Sequence, residues 1–303
     1  MADAALLVTG ATGFIGRALC PRFAADGWRI LGLSRTPERA RRLWPAYTWI
    51  GDLAELDRLG PVAGIVNLAG APLADRRWTE RRRREFYDSR VALTEQLFEH
   101  FAARSAPRVL VNGSAVGFYG PRGDEPLDEG AEPGAGFAAD LCSAWESMAC
   151  QFENLGTRVV RLRVGVVLGR GGGILGRLVP LFRLGLGGPV GSGRQWLSWI
   201  HLEDLVEIVR LGLADEGLSG AVNATAPAPV TNRDFARALG RALRRPALLP
   251  APAPLLRLAF GQMADELLLA GQRVVPKRLL ERGFSFRYPD LSAALAAIFA
   301  SGT

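Results

Sequence analysis

The stretch AALLVTGATGFIG occupies residues 4–16. A short apolar run from Ala4 to Thr9 leads into Gly10-x-x-Gly13-x-x-Gly16, and the residues after Phe14 read as a helix. Strand, glycine turn and helix in that order form the architecture that holds a dinucleotide pyrophosphate. Gly10 permits the tight turn, Gly13 lets the backbone approach the phosphates, and Gly16 lets the helix pack close to the strand. The helix N-terminus then offers open N–H groups and the positive end of its dipole to the anion. Thr12, Phe14 and Ile15 share this turn and are expected beside the cofactor.

The chain has 303 residues, 49% of them apolar, enough for one large domain or two coupled ones. Its apolar stretches are strand-sized or broken by Gly, Pro or charge, so neither a membrane span nor a membrane partner is expected. No basic segment precedes the first apolar run, so no secretory leader is expected. Cys20, Cys142 and Cys150 show neither a metal-ligand spacing nor an even framework. Reduced thiols in a cytoplasm, and no metal, are the expectation. The net charge of +7 is carried by arginine, with Lys277 the only lysine. This pattern reads as a compositional habit, the run Arg81–Arg84 as a solvated helix face, and nucleic acid is not an expected partner.

Strand-like runs near 4–9, 29–34, 48–50, 64–69, 108–114, 158–168 and 221–225 alternate with helical patterns. Those lie near 14–26, 79–103, 139–155, 203–214 and 232–243. Alternation of this kind implies an α/β fold, a doubly wound parallel Rossmann sheet with helices on both faces. Cofactor and substrate are expected at the C-terminal ends of its strands. After residue 170 the chain becomes glycine-rich around one amphipathic helix, and from Arg245 it is rich in proline, then short and helical. The expected division is a cofactor-binding domain over 1–169, rejoined by 198–226, and a smaller, mostly helical C-terminal lobe over 170–303.

The second strand ends in Gly32-Leu33-Ser34-Arg35. Many NAD-specific folds place Asp or Glu there to bind the ribose 2′-hydroxyl. A hydroxyl and a guanidinium instead suit a 2′-phosphate, which predicts NADP(H) over NAD(H). The alternative is that Arg35 is an ordinary surface arginine in an arginine-rich chain.

The segments TGATGFIG, GDL (51–53), NLAG (67–70), SAVGFYG (114–120) and WIHLEDL (199–205) resemble the extended short-chain dehydrogenase/reductases, which include the nucleotide-sugar epimerases. Together with NLAGAPL, RRW, VGVVLGRGGG, GLGGPVGSGRQWLSWIH, NATAPAPVTN and GFSFRYPDLSAAL, they are similar to an atypical branch. Its members are epimerase-like proteins sometimes labelled cell-division-inhibitor homologues. The resemblance runs in order from residue 4 to 295. It implies that Asp52 and Leu53 lie near the adenine, and that Leu68, Ala69 and Gly70 pass under the ribose and phosphates. It also puts Ser89, Arg90 and, one turn earlier, Glu85 beside the cofactor, and Val166 near the nicotinamide. For Glu85 and Arg90 a plain surface salt bridge is an equal alternative.

Short-chain dehydrogenases usually carry Tyr-x-x-x-Lys, in which the Lys lowers the Tyr pKa and the Tyr exchanges a proton with substrate. This chain cannot: aligning Glu146 with the acidic residue that often follows the pair puts Ala138 at the Tyr position and Cys142 at the Lys position. Ser114 and Tyr119 remain as candidate catalytic hydroxyls, with apolar packing the alternative for Tyr119. Nucleotide-sugar enzymes often read G-x-G-x-Q-x-R-D-F-I-H where this chain reads GSGRQWLSWIH. Leu197 thus takes the place of the diphosphate-gripping Arg, which speaks against a nucleotide-diphosphate sugar. Arg194, Gln195 and Trp199 are the expected substrate-loop contacts, and His201 is weighed between helix anchoring and proton transfer.

The expected function is that of an NADP(H)-dependent oxidoreductase of atypical mechanism acting on a small molecule. The alternatives are a non-catalytic NADP(H) sensor that presents a surface to a regulatory protein, and, more weakly, a sugar epimerase. Assembly is left open, a homodimer included.

Overall fold

Seven strands with apolar or β-branched centres pair in parallel through the middle of the molecule, because both faces of such a sheet can be covered by the helices that connect them. The structure, a computed structural model, describes residues 4–300. Positions 1–3 and 301–303, the outer ends of the two expected segments, lie outside the described residues. The strands are β1 (Ala5–Thr9), β2 (Arg29–Leu33), β3 (Thr48–Ile50), β4 (Val62–Asn67), β5 (Val109–Ala115), β6 (Pro126–Leu127), β7 (Arg158–Val164), β8 (Val166–Leu168), β9 (Trp196–Leu197), β10 (Trp199–His201), β11 (Gly220–Ala224), β12 (Val230–Thr231) and β13 (Arg273–Val274). The helices are α1 (Gly16–Ala25), α2 (Pro37–Leu43), α3 (Glu80–Tyr87), α4 (Leu93–Ala102), α5 (Phe137–Cys150), α6 (Gly173–Arg183), α7 (Leu202–Ala214), α8 (Asn232–Leu243), α9 (Ala253–Phe260), α10 (Lys277–Glu281) and α11 (Leu291–Ala300).

The main sheet runs β11-β7-β5-β4-β1-β2-β3, all parallel. Strand order reverses at β1, whose neighbours are β4 on one side and β2 on the other. That reversal opens a crevice at the carboxyl ends of the strands. One face of the sheet packs Leu6, Val8, Val111 and Val160 against Leu19 and Phe23 of α1 and Ile208 and Val209 of α7. The other packs Leu7, Ile65 and Leu110 against Leu97 and Phe101 of α4 and Ala149 of α5.

Several expected elements change shape, each for a local reason. The run 158–168 is two strands: a Cβ at Gly165 would lie 2.7 Å from the Ser198 carbonyl oxygen. β7 therefore stays in the main sheet while β8 leaves it to pair with β10. The helix expected over 79–103 is interrupted by a π turn at Asp88–Ala92. Helix α2 was not expected, although Pro37 at its first turn and the acidic Glu38 beside it are ordinary start signals. Beyond β8, helices α6, α8 and α11 gather around Trp199, Phe235 and Leu295 in a separate core. Helix α7 and β11 carry the chain back to the main sheet. Among the described residues no helix is long and apolar enough to cross a membrane.

Candidate functional site

The glycine turn is held by contacts that admit no side chain. Gly10 has φ +69°, and a Cβ there would sit 2.8 Å from the carbonyl carbon and oxygen of Leu68, just past the end of β4. At Gly16 a Cβ would come within 2.3 Å of the Gly10 carbonyl oxygen. The turn therefore closes on both β4 and α1. Ile15, at the N-cap of α1, makes no side-chain cap, and the N–H groups of Arg17 and Ala18 bond back to the carbonyls of Gly13 (3.0 Å) and Ile15 (2.9 Å).

This turn forms the floor of a cleft of about 1640 Å³. Its walls come from Ser34 and Arg35 after β2, from Asp52 and Leu53 after β3, and from Leu68, Ala69 and Gly70 after β4. Arg81, Arg84, Glu85, Asp88 and Ser89 close the far side, with His100 at one end. The volume exceeds the roughly 300–1,000 Å³ of a drug-sized pocket and suits an extended dinucleotide.

The segment 68–71 is fixed from three sides. Thr9 Oγ1 accepts from the N–H groups of Leu68 (3.1 Å) and Ala69 (3.0 Å) and donates to Asn67 Oδ1 (2.6 Å). Asn67 in turn donates to Thr94 Oγ1 and Asn112 Oδ1, and Trp145 Nε1 donates to Thr94. Ser89 Oγ accepts from the Ala71 N–H, and Arg90 donates to the Ala71 carbonyl at 3.0 Å. Gly70 exists for that arginine, since a Cβ would lie 2.6 Å from its Cζ. Burial pushes the Arg90 guanidinium down to about 10. Arg90 therefore acts from behind the cleft wall, with its guanidinium over the Trp145 ring.

The cations on the cleft differ in commitment. Arg35 is exposed, and no hydrogen bond or ion pair engages it among the described residues; Ser34 Oγ accepts from the Thr36 N–H at 3.2 Å. Arg81 and Arg84 likewise face the cleft without an acidic partner, whereas Glu85 is paired with Arg82 at 2.6 Å. Asp52 Oδ1 accepts from Ala54 N, and with Glu55 it completes a capping box on the turn at 53–58. Phe14 turns away from the turn to pack on the glycine-rich segment 169–173: a Cβ at Gly172 would lie 2.4 Å from its ring. From α6 just beyond, Arg177 bonds the Ala74 carbonyl and the Asp75 carboxylate, which ties α6 to the segment after β4. Val166 lies in β8, outside the cleft lining, and packs toward the small lobe.

The two hydroxyls read as catalytic are committed elsewhere. Ser114 Oγ, 95% buried, donates to Glu146 Oε1 at 2.7 Å. Tyr119, fully buried, donates to Asn223 Oδ1 at 2.6 Å and accepts from Arg163 Nη1 at 2.9 Å. Arg163 reaches both oxygens of Glu146, at 2.9 and 3.0 Å, and Arg161 adds a third contact at 3.3 Å. Burial raises the Tyr119 phenol above its usual range, against the opposing pull of Arg163. Tyr119 thus sits in a buried hydrogen-bonded network and does not line the cleft. Ala138 and Cys142 stand in the Tyr and Lys positions on α5, both buried. Burial pushes the Cys142 thiol up to about 11, which leaves it protonated at neutral pH.

The expected substrate loop is also revised. Trp199 is fully buried in the small-lobe core and donates to the Ala228 carbonyl at 3.0 Å, so it is not a substrate wall. Gln195 spends its amide on the carbonyls of Val190 and Leu268. His201 caps α7 by accepting from the Glu203 N–H at 3.2 Å, stacks on Tyr288 at 3.9 Å, and is held below its usual pKa by burial. Arg194 alone of this group is exposed. The sequence reading missed Arg81 and Arg84, which looked like a solvated face, and the Asn67–Thr94–Asn112 cluster. It also missed Glu266, which accepts from the Phe137 and Ala138 N–H groups and caps α5 from the small lobe. Spacing along the chain gives no sign of that last contact, which joins positions 128 apart.

Comparison with known proteins agrees with this geometry. Residues 6–224 match the model of the NAD dependent epimerase/dehydratase family, and residues 251–298 match a domain of unknown function, DUF1731. An epimerase family protein of Mycobacterium tuberculosis is 42% identical over 298 residues, 97% of each chain. The human epimerase family protein SDR39U1 is 38% identical over 97% of this chain and 99% of its own. A crystal structure of human SDR39U1 (isoform 2) with NADPH superposes with a TM-score of 0.88 at 35% identity, covering 99% of this chain and 100% of that one.

Proposed function

The chain belongs to the NAD dependent epimerase/dehydratase family, and from that premise we propose that its cleft holds NADP(H) and supports hydride transfer to or from a small substrate without a Tyr/Lys pair. The carrying observation is the conjunction of the glycine turn with Arg35, an unengaged guanidinium on the cleft wall after β2. The human relative crystallised with NADPH supports the choice of cofactor.

The residues present fit that group. Gly10 and Gly16 let the turn close tightly on β4 and α1, Gly10, Thr12 and Gly13 line the cleft, and the N-terminal end of α1 suits a pyrophosphate. Ser34 and Arg35 would take the 2′-phosphate, Asp52 and Leu53 would border the adenine, and Leu68–Gly70 would support the ribose. Bound there, NADP(H) supplies or accepts the hydride. The protein's own part is alignment and exclusion of water rather than tuned proton transfer. Ser114 and Tyr119 are each held by buried partners, so the proton that balances the hydride would be taken from solvent in carbonyl reduction and released to it in alcohol oxidation. Leu197 in β9 offers no charge to a diphosphate, which points to a small, rather apolar carbonyl or alcohol. Absorbance at 340 nm, followed with NADPH against a broad carbonyl panel, tests the reading. Oxidation of NADPH by any panel member supports it; tight NADPH binding with no turnover across the panel defeats the oxidoreductase half.

A further inference from the structure

The small lobe exposes leucine in a way the main domain does not. Among the described residues ten large hydrophobic side chains are exposed, and seven of them fall between residues 181 and 258. Leu184 (73%), Leu248 (80%) and Leu258 (76%) are the most open, with Leu181, Leu186, Leu249 and Leu255 between 46% and 62%. They stand on adjoining segments. Leu249 N bonds the Gly187 carbonyl, Ala251 N bonds that of Pro189, and Gly191 N bonds that of Ala251. The segment so held, joined by a single bridge between Val190 and Ala251, runs directly into α9, a helix with no buried residue. Clustered exposed apolar side chains with polar neighbours mark interaction surfaces, whereas scattered single ones do not.

The charge around it is predominantly basic, although Arg257 of α9 is paired with Asp265 and Arg237 with Asp234. No Asp or Glu occurs in residues 170–202 or 235–264, while Arg183, Arg241, Arg244 and Arg245 do. Arg183, Arg241 and Arg244 have no acidic partner among the described residues, and Arg237, Arg241, Arg244, Arg245 and Leu248 line one shallow depression. A second copy of this chain would bring like charges together, which disfavours a self-association across this face. Exposed leucines beside Arg183, Arg241 and Arg244 are complementary to an anionic lipid surface. Leucines enter the headgroup boundary there, and guanidinium groups meet phosphate.

We propose that the small lobe docks peripherally on anionic membrane through the leucines of 181–186, 248–249 and α9 and the arginines beside them. This contact needs no spanning helix and does not depend on the cofactor reading. The full chain is sedimented with vesicles of phosphatidylcholine and phosphatidylglycerol (7:3) or of phosphatidylcholine alone. Binding to the anionic vesicles should exceed binding to neutral ones at least tenfold, and 0.5 M NaCl should weaken it at least tenfold. Leu184→Asp with Leu258→Asp, and separately Arg241→Glu with Arg244→Glu, should each reduce it tenfold or more while the melting temperature stays unchanged. No sedimentation, equal binding to neutral vesicles, or binding indifferent to either pair of substitutions would overturn the proposal. So would a dimer in light scattering that the leucine substitutions dissolve, since that outcome assigns the strip to a second copy.

Discussion

Replacing Arg35 with Ala isolates one interaction with little effect on the fold. Arg35 is exposed on the cleft wall and engages no partner among the described residues, so its removal strands no buried group. The melting temperature should therefore stay within about a degree, as for surface substitutions worth less than ~0.5 kcal/mol. A hydrogen bond to a charged group contributes about 1.5–3 kcal/mol. Screening at an exposed site puts Arg35 near the lower end, so about 1.5 kcal/mol, or roughly tenfold in affinity. The parent should bind NADPH at least tenfold more tightly than NADH, and Arg35→Ala should bring the two within about threefold by lowering NADPH affinity alone. Calorimetric or nicotinamide-fluorescence titrations of both cofactors, at two ionic strengths, measure this. The advantage of NADPH should shrink as salt rises, because the phosphate contact is electrostatic. Equal affinities in the parent, or parallel losses for both cofactors in the variant, would refute the assignment of Ser34 and Arg35 to a 2′-phosphate.

Other outcomes follow from the same contacts. Gly10→Ala forces a side chain into a left-handed conformation 2.8 Å from the Leu68 backbone, so it should cost more than about 1–2 kcal/mol of stability and abolish cofactor binding, read by melting and titration. Glu146→Ala leaves Arg163 buried and unpaired and should destabilise by about 3–5 kcal/mol in urea unfolding; a loss under about 1 kcal/mol would show that water replaces the carboxylate freely. Burial raises the Cys20 and Cys142 thiols to about 12 and about 11. Neither should react with an aromatic disulfide at pH 8 until the chain unfolds, when all three thiols should titrate. Once a substrate is found, Ser114→Ala and Tyr119→Phe should each change turnover less than tenfold; a loss of 10²–10⁴ would make that residue the proton donor after all. Burial holds His201 below 6.5, so the unfolded chain binds its proton first as the medium acidifies. Stability should thus fall as pH drops below about 6.5, and His201→Asn should flatten that slope.

Much of this was legible one residue at a time. Gly10, Gly13 and Gly16 announce a turn because spacing alone requires it, and the apolar runs of β1, β4 and β5 announce a doubly covered sheet. The absence of a Tyr/Lys pair is also a fact of sequence, since Lys277 has no Tyr at the required spacing. Other features carried only half their signal. A run of arginines over 81–84 has the same spacing whether it faces water or a cleft, and only the position of α3 beside segment 68–70 separates Arg81 and Arg84 from their neighbours.

The α/β class, the cofactor turn and the loss of the usual proton relay each depend on residues close along the chain, so they could be read from it directly. Tertiary structure alone decided what the remaining polar groups are spent on. Ser114, Tyr119, Trp199 and Gln195 read as functional in one dimension. In three they are satisfied by Glu146, Asn223, Ala228 and Leu268, partners 29 to 104 positions away. A buried polar group must find its hydrogen bond wherever the fold brings one, and that long-range pairing leaves no periodicity to read.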